Sequence, residues 1–349
     1  GTLSNTNALE LNHADSLLML DGTGTLGASL VTAVSNTGKG LAVNASSTIS
    51  ILTVSADTEI NIADGITLSG ATEVAEGTTL TLSSNGTLGS TLNLSGTLEA
   101  GANLTVSGLI SVSGDSAVSI PAAGTTLTYT GGNLNVGEHT LSIGGAGTFS
   151  NATGSPLVLD VANSILDLTD NGTISGPVKL ESGTLKSRGS PTISGALTQY
   201  GDSTIEISET KTLTYEGGRI EIGASVLRII GGGTFANNGS ALELNNAASL
   251  LKFSRITVDY IRATADSLGI VVDNTSTVTY FTVGHVTPVS ISPNQSFNGL
   301  IEVYSNSNLQ LKNTGTLAAD VKISGLGGKL EAQDNVIFSG SLQQVDLHE

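Results

Sequence analysis

Short runs of alternating apolar and polar residues recur along the chain, each about three to five residues long. TIEI at 204–207, TLTY at 212–215 and RIEI at 219–222 are three successive examples. Alternation places successive side chains on opposite faces of a strand, so each run predicts a short β-strand with one buried face. Gly, Asn, Asp and Ser separate the runs, as turns require. No apolar stripe with helical spacing is sustained, and the pattern therefore predicts an all-β protein.

The chain also repeats itself at long range. GTLSN at residues 1–5 returns as GTFSN at 147–151 and as GTFAN at 233–237, each followed by the same spacing of apolar residues. DTEINI at 57–62 returns as DSTIEI at 202–207. These matches predict a tandem module of about 145 residues. We assign module 1 to 1–146, module 2 to 147–294 with a partial internal duplication near 233, and a partial module 3 to 295–349.

Strands this short, in a chain with only 3% aromatic residues, are poorly suited to a two-sheet sandwich. In a solenoid, each coil buries its apolar side against the coils above and below it. A coil of three short strands takes about 20–25 residues. The sequence therefore predicts an elongated, right-handed parallel β-helix, or β-solenoid, of roughly 14–17 coils. The right-handed sense follows from the general rule for connections between parallel strands.

Charge narrows the classes of partner. The 349 residues carry a formal net charge of -17, from 13 Lys+Arg and 30 Asp+Glu. This balance opposes binding to nucleic acid or to an anionic membrane, because both require a basic surface.

A mean hydropathy of +0.19 argues against a disordered chain. No apolar run is long enough for a membrane span, so we expect no membrane insertion of this chain.

The repeat GTFSN…LVLDVANSILDL at 147–168, with its counterparts at 233–253 and 1–20, resembles the β-helical repeats of bacterial surface adhesins. The similar families are the filamentous-haemagglutinin-like proteins and the autotransporter passengers. The resemblance covers most of the chain. It implies a structural or adhesive repeat region of a secreted or cell-surface bacterial protein, which acts as a stalk or fibre and contacts a host or environmental surface. These families share no fixed site, so no functional residues can be carried over.

The resemblance also sets expectations for location and partners. We expect an extracellular or cell-surface location. A surface glycan or a protein receptor is the expected partner, together with flanking repeats or other copies bound end to end. The chain begins at Gly1 rather than at Met, and we interpret it as a fragment of a longer protein.

Metal and cofactor chemistry finds little support. The chain has no Cys, which excludes disulfides and thiolate ligands. GGAGT at 144–148 and GGGT at 231–234 resemble half of a calcium-binding repeat, but each has Thr where Asp is needed, so we predict tight turns there. The histidines, His13, His139, His285 and His348, form no ligand motif. We therefore predict no metal and no cofactor.

The densest acidic group raises one alternative function. Asp160, Asp167 and Asp170 lie within eleven residues, and many glycoside hydrolases use two carboxyl groups about 5–10 Å apart in a groove. The sequence leaves open whether these three residues are functional, so a secreted polysaccharide lyase or hydrolase stays the alternative. No G-x-S-x-G motif is present either, and we predict that the protein is not an enzyme.

Threonine and aromatic residues suggest two kinds of binding surface. Thr-rich runs at 78–81, 125–128 and 275–282 suggest an ice- or glycan-binding function for the solenoid. Such a function needs threonines on the same strand in coil after coil. Their spacing is irregular in sequence, so β-propensity is the favoured explanation. In the stretch 255–297, Tyr260, Tyr280 and Phe281 are predicted to contact a partner, because exposed aromatic residues anchor interfaces. The alternative is that they fill the core of a wider coil.

Overall fold

The computed structural model describes residues 1–4 and 7–345, without the side chains of 37–39. The described residues contain 44 β-strands and no helix. The chain divides into two compact units, Gly1–Val178 (unit 1) and Lys179–Glu349 (unit 2). Each unit is a parallel β-solenoid, and about 16 turns are present in all, which confirms the predicted fold and coil number.

The strands of unit 1 are two to nine residues long. Their bounds are β1 (Thr2–Leu3), β2 (Leu9–Leu11), β3 (Leu17–Leu20), β4 (Gly24–Thr32), β5 (Asn36–Val43), β6 (Ser47–Val54), β7 (Thr58–Ile62), β8 (Thr67–Val74), β9 (Thr79–Leu82), β10 (Thr87–Leu88), β11 (Thr91–Leu94), β12 (Thr97–Ala100), β13 (Leu104–Val106), β14 (Ile110–Val112), β15 (Ser116–Ile120), β16 (Thr126–Tyr129), β17 (Leu134–Asn135), β18 (Thr140–Gly145), β19 (Thr148–Asn151), β20 (Leu157–Leu159), β21 (Ile165–Leu168) and β22 (Thr173–Ile174).

The remaining strands belong to unit 2, apart from the first residue of β23. Their bounds are β23 (Val178–Leu180), β24 (Thr184–Ser187), β25 (Thr192–Ile193), β26 (Leu197–Gln199), β27 (Ser203–Ile207), β28 (Thr212–Tyr215), β29 (Ile220–Glu221), β30 (Val226–Gly231), β31 (Thr234–Ala236), β32 (Leu242–Leu244), β33 (Leu250–Ser254), β34 (Thr257–Ala263), β35 (Gly269–Val272), β36 (Ser276–Val283), β37 (Val286–Ile291), β38 (Ser296–Val303), β39 (Asn308–Lys312), β40 (Thr316–Leu317), β41 (Asp320–Ser324), β42 (Lys329–Ala332), β43 (Ile337–Phe338) and β44 (Leu342–Val345).

Each turn contributes strands to three faces, which we call the first, second and third faces in chain order, as in β1, β2 and β3. In several turns a single long strand, such as β4 or β36, serves both the first and the second face. Strands pair in parallel with their equivalents one turn later. Leu88 pairs with Val106, 18 residues on, and Phe149 pairs with Ile174, 25 residues on. The turn length is thus close to the predicted value.

The core consists of aliphatic side chains stacked from turn to turn. On the third face of unit 1, Leu80, Leu98 and Val118 lie in register and are at most 1% exposed. Each lies about 4.8 Å from its neighbour along the stack, which is the distance between paired strands. The alternation predicted from the sequence therefore buries one side of every strand without a second packed sheet.

Aspartate side chains join successive turns at the corner before the third face. In unit 1, Asp57 Oδ1 accepts a hydrogen bond from the Thr79 amide at 2.8 Å, and Asp115 Oδ1 accepts one from Thr140 at 2.8 Å. In unit 2, Asp202 does the same for the next turn. A charged acceptor strengthens such a bond. Part of the acidic excess is therefore bound to backbone amides rather than to basic side chains.

The duplicated sequence near 147 and 233 is also duplicated in its contacts. In unit 1, Tyr129 Oη accepts a hydrogen bond from the Ile110 amide at 3.3 Å, and the ring centroids of Tyr129 and Phe149 are 6.5 Å apart. In unit 2, Tyr215 Oη accepts a hydrogen bond from the Leu197 amide at 3.2 Å, and the ring centroids of Tyr215 and Phe235 are 6.1 Å apart. These residues follow their unit 1 counterparts by 86 or 87 positions. The handedness and the module boundaries at 147 and 295 stay predictions.

The buried tyrosine hydroxyl gives the first prediction. Tyr215→Phe leaves the Leu197 amide buried without an acceptor, which costs about 1–3 kcal/mol. We expect native-state hydrogen exchange at Leu197 to accelerate by about tenfold or more. Tyr200→Phe is the control, because the Tyr200 side chain is 64% exposed. Equal protection of the Leu197 amide in the wild type and in Tyr215→Phe would contradict this assignment.

Candidate functional site

Two of the three predicted contact residues lie on the second face of unit 2. Tyr260 in β34 and Tyr280 in β36 are paired in register, and both are partly exposed. Their ring centroids are 5.6 Å apart and their planes are 19° from parallel. We call this pair the tyrosine pair. Leu300, 40% exposed, continues the row on β38.

The prediction for Phe281 is wrong. Its side chain is 0% exposed and lies in the core, so it cannot reach a partner of the folded chain. The physical reason is a register shift in β36 between Val278 and Tyr280. The irregularity changes the alternation, so Tyr280 points outward and Phe281 inward.

A hydrogen-bond network holds the tyrosine pair at one edge. The Tyr280 hydroxyl donates to Glu302 Oε2, while Glu302 Oε1 accepts from Lys322 Nζ at 2.8 Å and from Ser324 Oγ at 2.7 Å. The hydrogen bonds from Lys322 and then Tyr280 lower the pKa of Glu302 to about 2. Burial, and next the hydrogen bond to Glu302, raise the pKa of Tyr280. The carboxylate therefore stays charged and the phenol neutral at physiological pH.

Glu302 and Lys322 belong to a longer row of register-paired positions, which we call the charged row and in which Thr282 is only 2% exposed. Its members, paired in register from strand to strand, are Glu221, Glu243, Arg262, Thr282, Glu302 and Lys322. The Glu243 side chain is only 8% exposed. A buried carboxylate needs compensation for its lost hydration. Here Arg219 Nη1 lies 3.6 Å and Arg262 Nη1 3.8 Å from its two oxygens.

A groove of about 290 Å³ lies where the charged row begins. It is lined by Leu197, Thr198, Gln199, Tyr200, Arg219 and Glu221. Arg219 Nη2 lies 2.7 Å from Glu221 Oε1. Lys179 Nζ lies 5.9 Å from the centroid of the Tyr200 ring, which is within cation–π range. The groove therefore combines an aromatic surface with a paired donor and acceptor.

The same place in unit 1 lacks the aromatic ring and the charged pair. The shared tyrosine hydroxyl bonds make Ile110 equivalent to Leu197. By the same alignment, Tyr200, Arg219 and Glu221 correspond to Ser113, Asn133 and Asn135. Glu243, the register partner of Glu221, corresponds to Val158, the register partner of Asn135. Sequence reasoning found the duplication but missed this site. A comparison of the two copies, position by position, is the signal that reveals it.

Two residues of the acidic group at 160–170 bind backbone amides. Asp160 Oδ1 accepts from the Gly137 amide at 2.9 Å, and Asp170 Oδ2 accepts from the Gly145 amide at 2.9 Å. These two residues lie on opposite sides of β21, and Asp167, 5% exposed, lies within it. Asp160 and Asp170 therefore connect successive turns, in the same manner as the corner aspartates.

The histidines and glycine-rich segments are dispersed. His13 Nδ1 accepts from the Asp15 amide at 3.1 Å, and His285 Nδ1 lies 3.7 Å from Asp266 Oδ1, while His348 lies outside the described residues. Among described residues, no group of three or more His, Cys, Asp or Glu could hold a metal.

The glycine-rich segment at 144–148 contains a turn that requires glycine. Gly145 has φ +98°, and a Cβ there would lie 2.1 Å from the Ile120 carbonyl oxygen.

The threonines are more regular than their sequence spacing suggests. On the first face of unit 1, Thr67, Thr87, Thr105 and Thr128 lie in register on successive turns. We call these four residues the threonine ladder. A comparable row in unit 2 contains Thr212, Thr234, Thr257 and Thr277. The Thr-rich runs at 78–81, 125–128 and 275–282 do not form one row, since the first lies on the third face and the second on the first face. The ladder is assembled mostly from other threonines, because turns of different length still pair in register.

The fold defines a tandem-repeat parallel β-solenoid. No protein-family model matches the chain, and it has no match among curated proteins or solved structures. In the part of the chain that the structure describes, there is no helix long and apolar enough to cross a membrane.

The Glu302 network gives the second prediction. The folded-state pKa of Glu302, about 2, lies below its ordinary value of 4.5. Its contribution to stability is therefore complete above about pH 4.5 and is lost as the pH falls towards 2. Glu302→Gln lacks this titration, so the free energy of unfolding of the wild type should fall more steeply than that of the variant across this range.

Denaturant unfolding followed by circular dichroism at several pH values measures the difference between wild type and Glu302→Gln. Lys322→Met serves as a companion variant, because it removes the main hydrogen-bond donor to Glu302. In this variant the pH dependence should move towards higher pH. Parallel pH profiles for the wild type and Glu302→Gln would show that the network does not stabilise the fold.

Proposed function

We propose that this chain is a structural and adhesive repeat region of a secreted or cell-surface bacterial protein. In this role the solenoid is a stalk or fibre, and the second face of unit 2 contacts a surface glycan or protein receptor. The observation that carries the proposal is the tyrosine pair, held outward on a hydrogen-bonded sheet. Large aromatic side chains anchored in this way are typical of binding surfaces.

The arrangement of polar groups favours a binding scaffold over an enzyme. The acidic side chains Asp160 and Asp170 are engaged by backbone amides, which argues against their use as a catalytic pair. Within the charged row, Glu243 is paired with Arg262 and Glu302 with Lys322, and these ion pairs hold the four side chains along the sheet. Such a surface suits recognition of an extended partner, since successive turns offer contacts at a regular spacing of about 4.8 Å.

Exposed apolar side chains also support contacts at the two ends. Leu3 is 65% and Leu17 is 50% exposed in the first turn, and Ile337 is 59% and Leu342 55% exposed in the last. The strands of these turns pair on one side only, and an open strand edge with apolar side chains favours pairing with further strands. Flanking repeats or a second copy of the chain are the proposed partners there.

Cell-surface display is the third prediction. Antibody raised against this chain should detect a protein larger than 35.1 kDa at the surface of producing cells. Brief protease treatment of intact cells should remove this signal, while a cytoplasmic marker protein is spared. A signal that resists protease until the cells are lysed would count against the proposal.

A second candidate function follows from the threonine ladder. A row of hydroxyl and methyl groups in register, spaced by about 4.8 Å, offers a regular surface to ordered water. An ice-binding role for the first face of unit 1 is therefore the second candidate. Glycan binding by the solenoid is the related alternative.

Thermal hysteresis of the purified chain tests the ice-binding candidate and is the fourth prediction. The wild type should depress the freezing point below the melting point, and Thr105→Lys should abolish the effect by disrupting the middle of the ladder. Thr53→Lys, on the second face of the same unit, is the matched control and should retain it. The absence of hysteresis in the wild type eliminates this candidate.

A further inference from the structure

We infer that the groove at Tyr200, Arg219 and Glu221 is a subsite for one sugar ring of a neutral polysaccharide. The inference rests on the proposed function for the premise that unit 2 contacts a partner, and it identifies the chemical class of that partner. Four features carry it: the size of the groove, its aromatic wall, its polar pair and its charge balance.

The size and the aromatic wall suit a sugar ring. The volume of about 290 Å³ is at the lower limit for small-molecule pockets, which leaves room for one ring rather than for a large ligand. Tyr200 is 64% exposed and offers a flat apolar surface to the C–H face of a pyranose. Lys179 Nζ lies 5.9 Å from the centroid of the same ring, within cation–π range. Leu197, 1% exposed, forms the apolar base.

The polar pair matches the hydroxyl groups of a sugar. Each hydroxyl both donates and accepts hydrogen bonds, and neighbouring hydroxyls on a ring need a donor and an acceptor side by side. Arg219 and Glu221 supply them, with Nη2 and Oε1 only 2.7 Å apart. Glu243 also contacts Arg219, at 3.6 Å, and its buried side chain fixes the guanidinium beside the groove. The polar groups are thus positioned before a ligand arrives.

The charge balance selects a neutral ligand. The charged residues that line the groove are Arg219 and Glu221, and they form an ion pair without net charge. Glu243, outside this lining, is shared between Arg219 and Arg262. An anionic polysaccharide would therefore meet no net positive charge in the lining, and the chain as a whole carries -17. Electrostatic complementarity therefore disfavours uronic-acid and sulfated polymers.

The position of the groove explains how a polymer would use it. Tyr200 follows β26, and β29, β32 and β34 are the second-face strands of the next three turns. Tyr260 in β34 is therefore about 14 Å further along the face, at three times the strand spacing. A polysaccharide chain that lies along the second face would occupy the groove with one ring and reach the tyrosine pair with another.

Unit 1 provides an internal comparison. The backbone framework is the same, but Ser113, Asn133 and Asn135 replace the three groove residues. These small neutral residues are compatible with the fold, so Tyr200, Arg219 and Glu221 are not needed to form the turns. Their presence together in unit 2 is explained by binding.

The test uses the whole chain and three variants of it. The groove variant, Tyr200→Ser with Arg219→Asn and Glu221→Asn, introduces the residues of the unit 1 copy. The pair variant is Tyr260→Ser with Tyr280→Ser. The control variant is Thr53→Ser, on the second face of unit 1. Circular dichroism and native-state hydrogen exchange first establish that all four proteins are folded alike.

Retention on immobilised polymers is then measured. The neutral probes are cellulose, chitin, mannan and amylose, the anionic probes are polygalacturonate and heparin, and the protein probes are collagen and fibronectin. We expect retention of the wild type and of Thr53→Ser on at least one neutral polysaccharide. The groove variant should bind that polymer at least tenfold more weakly, since loss of a stacked ring alone is worth about that much.

The outcomes separate this inference from the proposed function. If the groove variant is still retained on a neutral polymer and the pair variant is not, the groove assignment is overturned. The proposal that the second face of unit 2 contacts a partner then still stands. Retention only on anionic polymers or proteins overturns the ligand class and leaves adhesion. If the wild type binds none of the probes, the inference is overturned. The surface-display experiment decides the proposed function separately.

Discussion

The structure depends on the hydrogen bonds between each turn and the next. A backbone amide or carbonyl that is buried in a solenoid must find its partner in a neighbouring turn, because a turn cannot satisfy its own strands. Parallel pairing in register therefore places each side chain against its equivalent one turn away. Turns of 18 and of 25 residues coexist, as at Leu88–Val106 and Phe149–Ile174, because the corners absorb the difference.

This constraint produces rows of side chains on the surface, and the chemistry of each row follows from what stacks well. Tyrosines stack favourably, as Tyr260 and Tyr280 do. Two carboxylates in register repel each other, and Glu221 and Glu243 are accommodated because Arg219 contacts both. The second face of unit 2 is thus a surface in which aromatic rings and compensated charges hold one another in place.

The duplicated turns separate what the fold requires from what a binding surface adds. Both copies keep the buried tyrosine, its hydrogen bond and its aromatic neighbour. They differ at outward positions, where Ser113 and Asn133 in unit 1 correspond to Tyr200 and Arg219 in unit 2. A side chain that is inward in one copy is constrained by packing, whereas an outward one is free to acquire a ligand.

The sequence by itself determined the all-β class, the solenoid and the number of turns, because alternation and repetition are local or periodic properties that pairing preserves. It did not determine which residues share a row, since the distance between register partners varies from turn to turn. Nor did it show that the irregularity after Val278 turns Tyr280 outward and Phe281 into the core. Only the tertiary structure decided the groove, the tyrosine pair and the threonine ladder, because each is assembled from residues about twenty positions apart and depends on the pairing register.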